Sequence, residues 1–207
     1  MNAPTLKAPF PYFGGKSRIA GAIWGRFGQV QNYVEPFAGS LAVLLACPCP
    51  GHTETVNDAD GLLANFWRAL RADPDAVAEH ADYPVSELDL HARHRWLVAQ
   101  RADVERLLAD PEWYDPKAAG WWVWGKSTAI GNHWERQYTG AMPHLGGEYS
   151  PFQGIHALDN VHTYLRALSA RLRRTRVVCG DFARVLGPSV TWRHGTTGVF
   201  LDPPYAE

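Results

Sequence analysis

The chain has 207 residues, of which 46% are hydrophobic and 20% are charged, and its formal net charge is −1. This composition is typical of an ordinary globular protein and excludes a chain that binds nucleic acid through its overall charge alone. The three cysteines lack the spacing of metal ligands, which predicts free thiols in a cytoplasmic protein, and no apolar run is long enough to span a membrane.

The first motif is a glycine pair followed by a cation. Gly14 and Gly15 allow the backbone to approach a ligand closely, and Lys16 follows them directly. A Gly-Gly-Lys element at a helix start is a natural anion site, and an ordinary turn is the alternative interpretation. It is not a Walker P-loop, because the four-residue spacer after the first glycine is missing. Ser17 is predicted to cap the next helix. The expected apolar face of that helix contains Ile19, Ile23 and Phe27.

A strand, a turn and a helix are predicted next. Residues 33–35 are predicted to form a short strand, residues 36–40 are mostly small, and residues 41–46 continue as an apolar helical segment. This arrangement is typical of the first crossover of a doubly wound sheet, where a nucleotide-type cofactor binds.

A second strand is predicted at residues 54–57, and an acid stands at its end. Asp58 follows Gly39 by about twenty residues, the spacing of an acid that binds ribose hydroxyls in dinucleotide-type folds. Asp60 is interpreted as the N-cap of the helix that follows.

The pattern changes after residue 72. Ser86 is predicted to open a long helix that ends near Pro111, and residues 120–156 show no clean period and are expected to form a loop region. That region contains many of the tryptophans of the chain. They are interpreted either as a small separate hydrophobic core or as part of a functional insertion. The candidate functional residues of this region are Lys126, Ser127, Asn132, His133, Arg136 and His144.

Charge is distributed unevenly along the second half of the chain. Residues 73–115 contain eleven acids and four arginines, whereas residues 162–176 contain five arginines and no acid. The arginine-rich segment, which includes Arg173 and Arg174, predicts either a basic face for phosphates or a solvated helix end.

The end of the chain carries the most specific chemistry. A helix at residues 161–174 leads into a third strand at residues 176–179, and residues 199–201 are predicted to be a buried fourth strand that stops at Asp202. Asp202 and the carbonyl of Pro203 are two acceptors for an exocyclic amino group, and Tyr205 can stack on the ring that carries it. Two N–H bonds drawn toward acceptors pull the nitrogen lone pair out of conjugation and make the amine a better nucleophile.

With these motifs in this order, the chain resembles the D12-class, Dam-like DNA adenine-specific methyltransferases. The resemblance implies an α/β, Rossmann-like S-adenosylmethionine-dependent methyltransferase sheet with strand order 3-2-1-4 and a helical or loop insertion for DNA recognition. It also implies transfer of a methyl group from S-adenosylmethionine to the N6 amino group of adenine in double-stranded DNA, with the base flipped out of the stack. A phage or bacterial restriction-modification setting and a reaction without a metal are further implications.

The resemblance assigns site residues by position. The catalytic residues it implies are Asp202, Pro203, Pro204 and Tyr205. The cofactor-binding residues are Tyr12, Gly14, Gly15, Lys16, Pro36, Phe37, Gly39, Asp58, Asp181 and Phe182. The DNA-binding candidates are Lys126, Asn132, Arg136, Arg173 and Arg174. One position departs from the family pattern, since Leu41 stands where a second glycine is usual.

The predicted organisation is a methyltransferase domain at residues 1–72 and 161–207, interrupted by a target-recognition region at residues 73–160. Only four strands can be counted, which leaves an open edge at strand four. We therefore expect a truncated chain, a second chain that covers the edge, or a degenerate remnant. The alternative functions are a remnant that binds S-adenosylmethionine without catalysis, a DNA-binding module, and a cytosine or RNA amino-methyltransferase.

Overall fold

The structure is a computed structural model that describes residues 6–12, 14–48, 53–100, 104–129, 134, 142–144 and 154–203. These residues form an α/β fold with eight α-helices and four β-strands. The strands are β1 (Asn32–Glu35), β2 (Thr53–Asp58), β3 (Thr175–Cys179) and β4 (Thr197–Val199). The helices are α1 (Ala20–Phe27), α2 (Ala42–Leu45), α3 (Gly61–Ala72), α4 (Pro74–Ala81), α5 (Glu87–Ala99), α6 (Val104–Ala109), α7 (Pro116–Thr128) and α8 (Val161–Leu172).

The four strands make one parallel sheet in the order β3-β2-β1-β4, which confirms the predicted topology. All four residues of β1 are buried, and Val34 lies opposite Thr55 on one side and Val199 on the other. Parallel strands that are covered on both faces bury apolar runs in this way. Because every strand points in the same direction, the turns that follow the strands meet at one edge of the sheet.

The fourth strand begins and ends two residues earlier than predicted. It ends at Val199, and Leu201, expected inside the strand, is 56% exposed. The last ladder bond runs from the N–H of Phe200 to the carbonyl of Val34, with a distance of 2.9 Å. The next bond of a parallel ladder would need an N–H at residue 36, and Pro36 has none. The prolines after Asp202 are therefore not what ends this strand.

Helix α1 also differs from its prediction. It begins at Ala20 without a side-chain cap, so Ser17 is not its N-cap. Its buried residues are Ala20 and Trp24, whereas Ile19 is 48% exposed, so the buried face is rotated by one residue. The indole N–H of Trp24 donates to the carbonyl of Val43 at 2.7 Å, and this anchored ring sets which face turns inward.

The long helix predicted from Ser86 is two helices, although the predicted cap is correct. The Ser86 hydroxyl accepts from the N–H of Asp89 at 3.3 Å. Helix α5 ends at Ala99, because the N–H of Gln100 bonds the carbonyl of Leu97 as well as that of Trp96 and tightens the last turn.

Helix α7 replaces part of the predicted loop region. Asp115 caps it by accepting from the N–H of Ala118 at 2.8 Å, and Pro116 occupies its first turn. Its apolar residues lie on all sides, with Trp122 and Trp124 both fully buried, so no helical period is visible in the sequence. The remaining loop candidates Asn132, His133 and Arg136 lie outside the described residues.

The chain divides into two compact units. We call the described parts of residues 1–8, 14–60 and 171–207 the sheet unit, and those of residues 9–13 and 61–170 the helical unit. Aromatic rings pack the core of the helical unit, where the Phe10 and Trp122 ring centroids lie 4.8 Å apart. Cys47 and Cys179 are in the thiol form rather than in disulfides, and Cys49 lies outside the described residues. No helix within the described ranges has the length and apolar character that a membrane span requires.

Candidate active site

The candidate site lies in the sheet unit, at the edge where the parallel strands end. In such sheets ligands bind outside the carboxyl ends of the strands. The turn after β1 contains Phe37 and Gly39, Asp58 ends β2, and Asp202 follows β4. Glu35 ends β1, which lies between β2 and β4 in the sheet, and the charges of Asp58 and Asp202 both raise its pKa.

Asp58 joins two of these turns through its carboxylate. One oxygen accepts from the N–H of Gly39 at 3.0 Å and the other accepts from the N–H of Asp60 at 3.1 Å. Burial raises the pKa of Asp58 above its ordinary value, against the lowering effect of these hydrogen bonds. The carboxylate thus holds the turn after β1 at a fixed position beside the end of β2.

Asn57 makes a similar connection that the sequence interpretation did not assign. Its amide nitrogen donates to the carbonyl of Pro36 and to that of Gly180, each at 3.0 Å. One buried side chain therefore fixes the turns that follow β1 and β3. Its position directly before Asp58, at the end of a strand, was the available signal.

The turn after β1 uses a left-handed backbone at two positions. Gly39 has a φ of 49°, and Leu41 has a φ of 61° although it carries a bulky side chain. Leu41 is the residue that stands where the resembled family usually has a second glycine. The turn keeps the backbone conformation that glycine favours, and the fully buried Leu41 side chain adopts it at a steric cost.

An aromatic pair lies beside the end of β3. The ring centroids of Phe37 and Phe182 are 5.1 Å apart, and Phe182 is 43% exposed. Asp181 accepts from the N–H of Ala183 at 2.8 Å through one carboxylate oxygen. An exposed aromatic face next to an acid is a surface on which a purine ring can stack while its amino group donates to the carboxylate.

The Gly-Gly-Lys motif contacts the last motif of the chain directly. Lys16 Nζ lies 2.5 Å from Asp202 Oδ2 and 2.5 Å from the carbonyl oxygen of Gly14, whose φ is 71°. Both charged side chains are only partly exposed. The structure therefore brings together two residues that are 186 positions apart in the sequence.

Glu35 is a further acid at this edge that sequence reasoning missed. It is 3% exposed, and Tyr33 Oη donates to its Oε2 at 2.9 Å. Burial raises the pKa of Glu35 to about 8, since desolvation outweighs the hydrogen bonds that favour the charged form. Its place at the end of a buried strand, directly before Pro36, was the only sequence signal.

The remaining predicted residues lie elsewhere or outside the described ranges. In the helical unit, Lys126 Nζ lies 5.5 Å from the ring centroid of Tyr12, so a cation–π contact joins a DNA-binding candidate to a cofactor-binding candidate. Arg173 and Arg174 are exposed in the turn before β3, at the amino edge of the sheet and thus opposite Asp202. The predicted residues outside the described ranges are Pro204, Tyr205, Asn132 and Arg136.

Comparison with known families gives a match over part of the chain. Residues 12–106 match a family model described as D12 class N6 adenine-specific DNA methyltransferase. The matched segment contains Lys16, Gly39 and Asp58, and it ends before Asp181 and Asp202. The comparison with curated proteins found no match.

Proposed function

We propose that this chain transfers a methyl group from S-adenosylmethionine to the N6 amino group of adenine in duplex DNA. Support comes from residues 12–106, which match the family model of D12 class N6 adenine-specific DNA methyltransferases. The observation that carries the proposal is the contact between Lys16 and Asp202. It joins the family-matched segment to a carboxylate and proline carbonyl at the ligand-binding edge of the sheet, where an amine can be held.

The chemistry of the side chains at this edge fits the cofactor. The exposed face of Phe182 and the carboxylate of Asp181 suit an adenine ring, and Asp58 at the end of β2 suits the ribose. Lys16, with Gly14 and Gly15, would hold the methionyl end through its cation. When bound, S-adenosylmethionine supplies an electrophilic methyl group on a sulfonium.

The turn after β1 completes the proposed cofactor pocket. Pro36, Phe37 and Gly39 line it, and the hydrogen bond from Gly39 to Asp58 fixes how closely the backbone approaches a ligand. Tyr12 is also proposed as a cofactor-binding residue.

Asp202 and Pro203 would act on the target amine. The carboxylate and the carbonyl each accept one N–H, which raises the electron density on nitrogen and aligns its lone pair for attack. Pro204 and Tyr205 are proposed to complete this site, with Tyr205 stacked on the flipped base. Lys126, Asn132, Arg136, Arg173 and Arg174 are the proposed DNA contacts.

Substitution of Asp202 tests the proposal. Asp202→Ala should lower methyl transfer to duplex DNA by at least about 100-fold, because one acceptor of the amine is lost at the reacting centre. Its dissociation constant for S-adenosylmethionine should change less than about threefold, since the cofactor contacts are other side chains. Transfer is measured with radiolabelled cofactor, binding by calorimetry, and the modified base by nucleoside mass spectrometry.

Asp159→Ala is the matched control, because Asp159 is an exposed acid outside the proposed site. It should leave transfer and cofactor binding unchanged. Equal loss of both in Asp202→Ala would contradict the assigned role of Asp202. Cofactor binding by the wild-type chain without transfer to any base would instead support a catalytically incomplete remnant. Methylcytosine as the product would contradict adenine as the target base.

A further inference from the structure

The ion pair between Lys16 and Asp202 involves the carboxylate that the proposed reaction needs. Lys16 Nζ contacts Oδ2 of Asp202 at 2.5 Å and the carbonyl of Gly14 at the same distance. The lysine ammonium is therefore fixed by a backbone atom on one side and by the carboxylate on the other. This contact is made through Oδ2, and a carboxylate has a second oxygen, Oδ1, that can accept a further donor.

Asp202 needs a partner such as Lys16 to hold its carboxylate in place, because it lies beyond the last hydrogen bond between β4 and the rest of the sheet. β4 ends at Val199, and Phe200 donates the last bond to the sheet. Leu201 is 56% exposed, so no buried side chain anchors this segment between Phe200 and Asp202. The contact to Lys16 supplies the anchor that the strand does not.

We infer that Lys16 is a positioning residue for methyl transfer: its ammonium holds Oδ2 of Asp202 so that Oδ1 faces the target amine. This inference rests on the proposed function and goes beyond it, because it gives Lys16 a role toward the amine as well as toward the cofactor. A lysine ammonium has three donors, of which Gly14 and Asp202 use two. The third is available for the methionyl carboxylate.

If Lys16 positions Asp202, its substitution should lower kcat even when S-adenosylmethionine and DNA are saturating. Lys16→Met keeps the length and the apolar stem of the side chain but removes the cation. At saturating S-adenosylmethionine and DNA, its kcat should fall at least about tenfold, because a carboxylate that is free to rotate is misplaced at the reacting nitrogen. Lys16→Arg should recover most of that loss. Lys7→Met, which removes one cation from an exposed side chain, should not change kcat.

A double-mutant cycle tests whether Lys16 acts through Asp202. Asp202→Asn keeps the shape of the side chain but weakens its bond to an ammonium. In single-turnover assays Lys16→Met should therefore cost much less in the Asp202→Asn background than in the wild type. Equal costs in both backgrounds would overturn the inference. So would a variant whose only change is a higher KM for S-adenosylmethionine, since Lys16 would then be a cofactor ligand alone.

The same cycle measured by urea unfolding separates this inference from the proposed function. The two substitutions should be coupled by at least about twofold in the unfolding equilibrium constant, whether or not the chain is active. Coupling in stability without any methyl transfer would overturn the proposed function and the positioning role with it. Transfer by the wild type with additive rate effects would overturn the positioning role alone.

Discussion

At the scale of single residues, Leu41 combines a buried side chain with a backbone conformation that favours glycine. Its φ is 61° and its side chain is fully buried. Leu41→Ala and Leu41→Gly should both destabilise the protein by about 2–5 kcal/mol through loss of the side chain. Leu41→Gly should nevertheless be the more stable of the two by about 1 kcal/mol, because only it relieves the left-handed strain.

Leu44 provides the matched control for that comparison. It is equally buried but lies inside helix α2. There the glycine variant should be less stable than the alanine variant by about 1 kcal/mol. Urea unfolding of the four variants measures both differences, and the same order at both positions would exclude backbone strain at Leu41.

Glu35 should make the stability of the protein depend on pH. Its pKa is raised to about 8 by burial, whereas the unfolded chain has an ordinary glutamate. Between about pH 5 and 8 the unfolded state has released a proton that the folded state still holds, so stability should fall by up to about 1.4 kcal/mol per pH unit. Below this range both states are protonated, and above it both are ionised, so the slope should vanish.

Glu35→Gln isolates this effect because glutamine is neutral at every pH in the range. The stability of the wild type relative to Glu35→Gln should decrease as the pH rises from about 5 to 8. Subtracting the two urea-unfolding series removes the contribution of the histidines. A constant difference across the range would mean that Glu35 is ionised in the folded protein.

At the scale of elements, the sequence predicts what has a clear period and misses what does not. Strands β1 and β2 differ from their predictions by at most a residue at each end, because turn residues such as Pro36 after β1 and Gly51 before β2 mark where the extended segments end. Helix α7 was missed, because the consecutive apolar residues from Trp121 to Trp124 hide any helical period. Its cap, Asp115 followed by Pro116, was present in the sequence and would have identified its start.

Gly120 in α7 is a position where alanine should lower the stability of the protein, although helix propensity alone favours alanine over glycine. A Cβ on Gly120 would clash with the backbone and Cβ of His80 and with the carbonyl of Val77. Gly120→Ala should therefore destabilise the protein by about 1–3 kcal/mol, although alanine is the better helix former. Gly25→Ala is the control, because a Cβ there meets nothing within 4 Å in helix α1. It should be neutral or stabilising by up to about 1 kcal/mol in thermal unfolding.

At the scale of the whole molecule, the site is assembled from segments that are distant in sequence. The order of motifs and the parallel strand order predict that the turns after β1, β2, β3 and β4 meet at one edge. The contact between Lys16 and Asp202 does not follow from that order, because it depends on where a long side chain ends and on how β4 stops at Val199. Topology is therefore readable from local patterns, whereas a contact between two side chains across the sheet unit is not.

The uneven distribution of charge over the molecule predicts where DNA phosphates bind. With a net charge of −1, phosphates must be bound by local clusters, and Arg173 and Arg174 are exposed at the amino edge of the sheet. If DNA reaches that edge as proposed, the double variant Arg173→Ala/Arg174→Ala should reduce the slope of log affinity against log salt by about 2 on a duplex of about 30 base pairs.

Arg166 supplies the control for this measurement. Its Nε already donates to Asp75 at 2.7 Å, so Arg166→Ala removes a charge that this carboxylate largely offsets. Fluorescence anisotropy across a salt series should give an unchanged slope for this variant. An unchanged slope for the double variant as well would restrict DNA to the carboxyl edge, where Asp202 lies, because a cation that binds no phosphate releases no counterion.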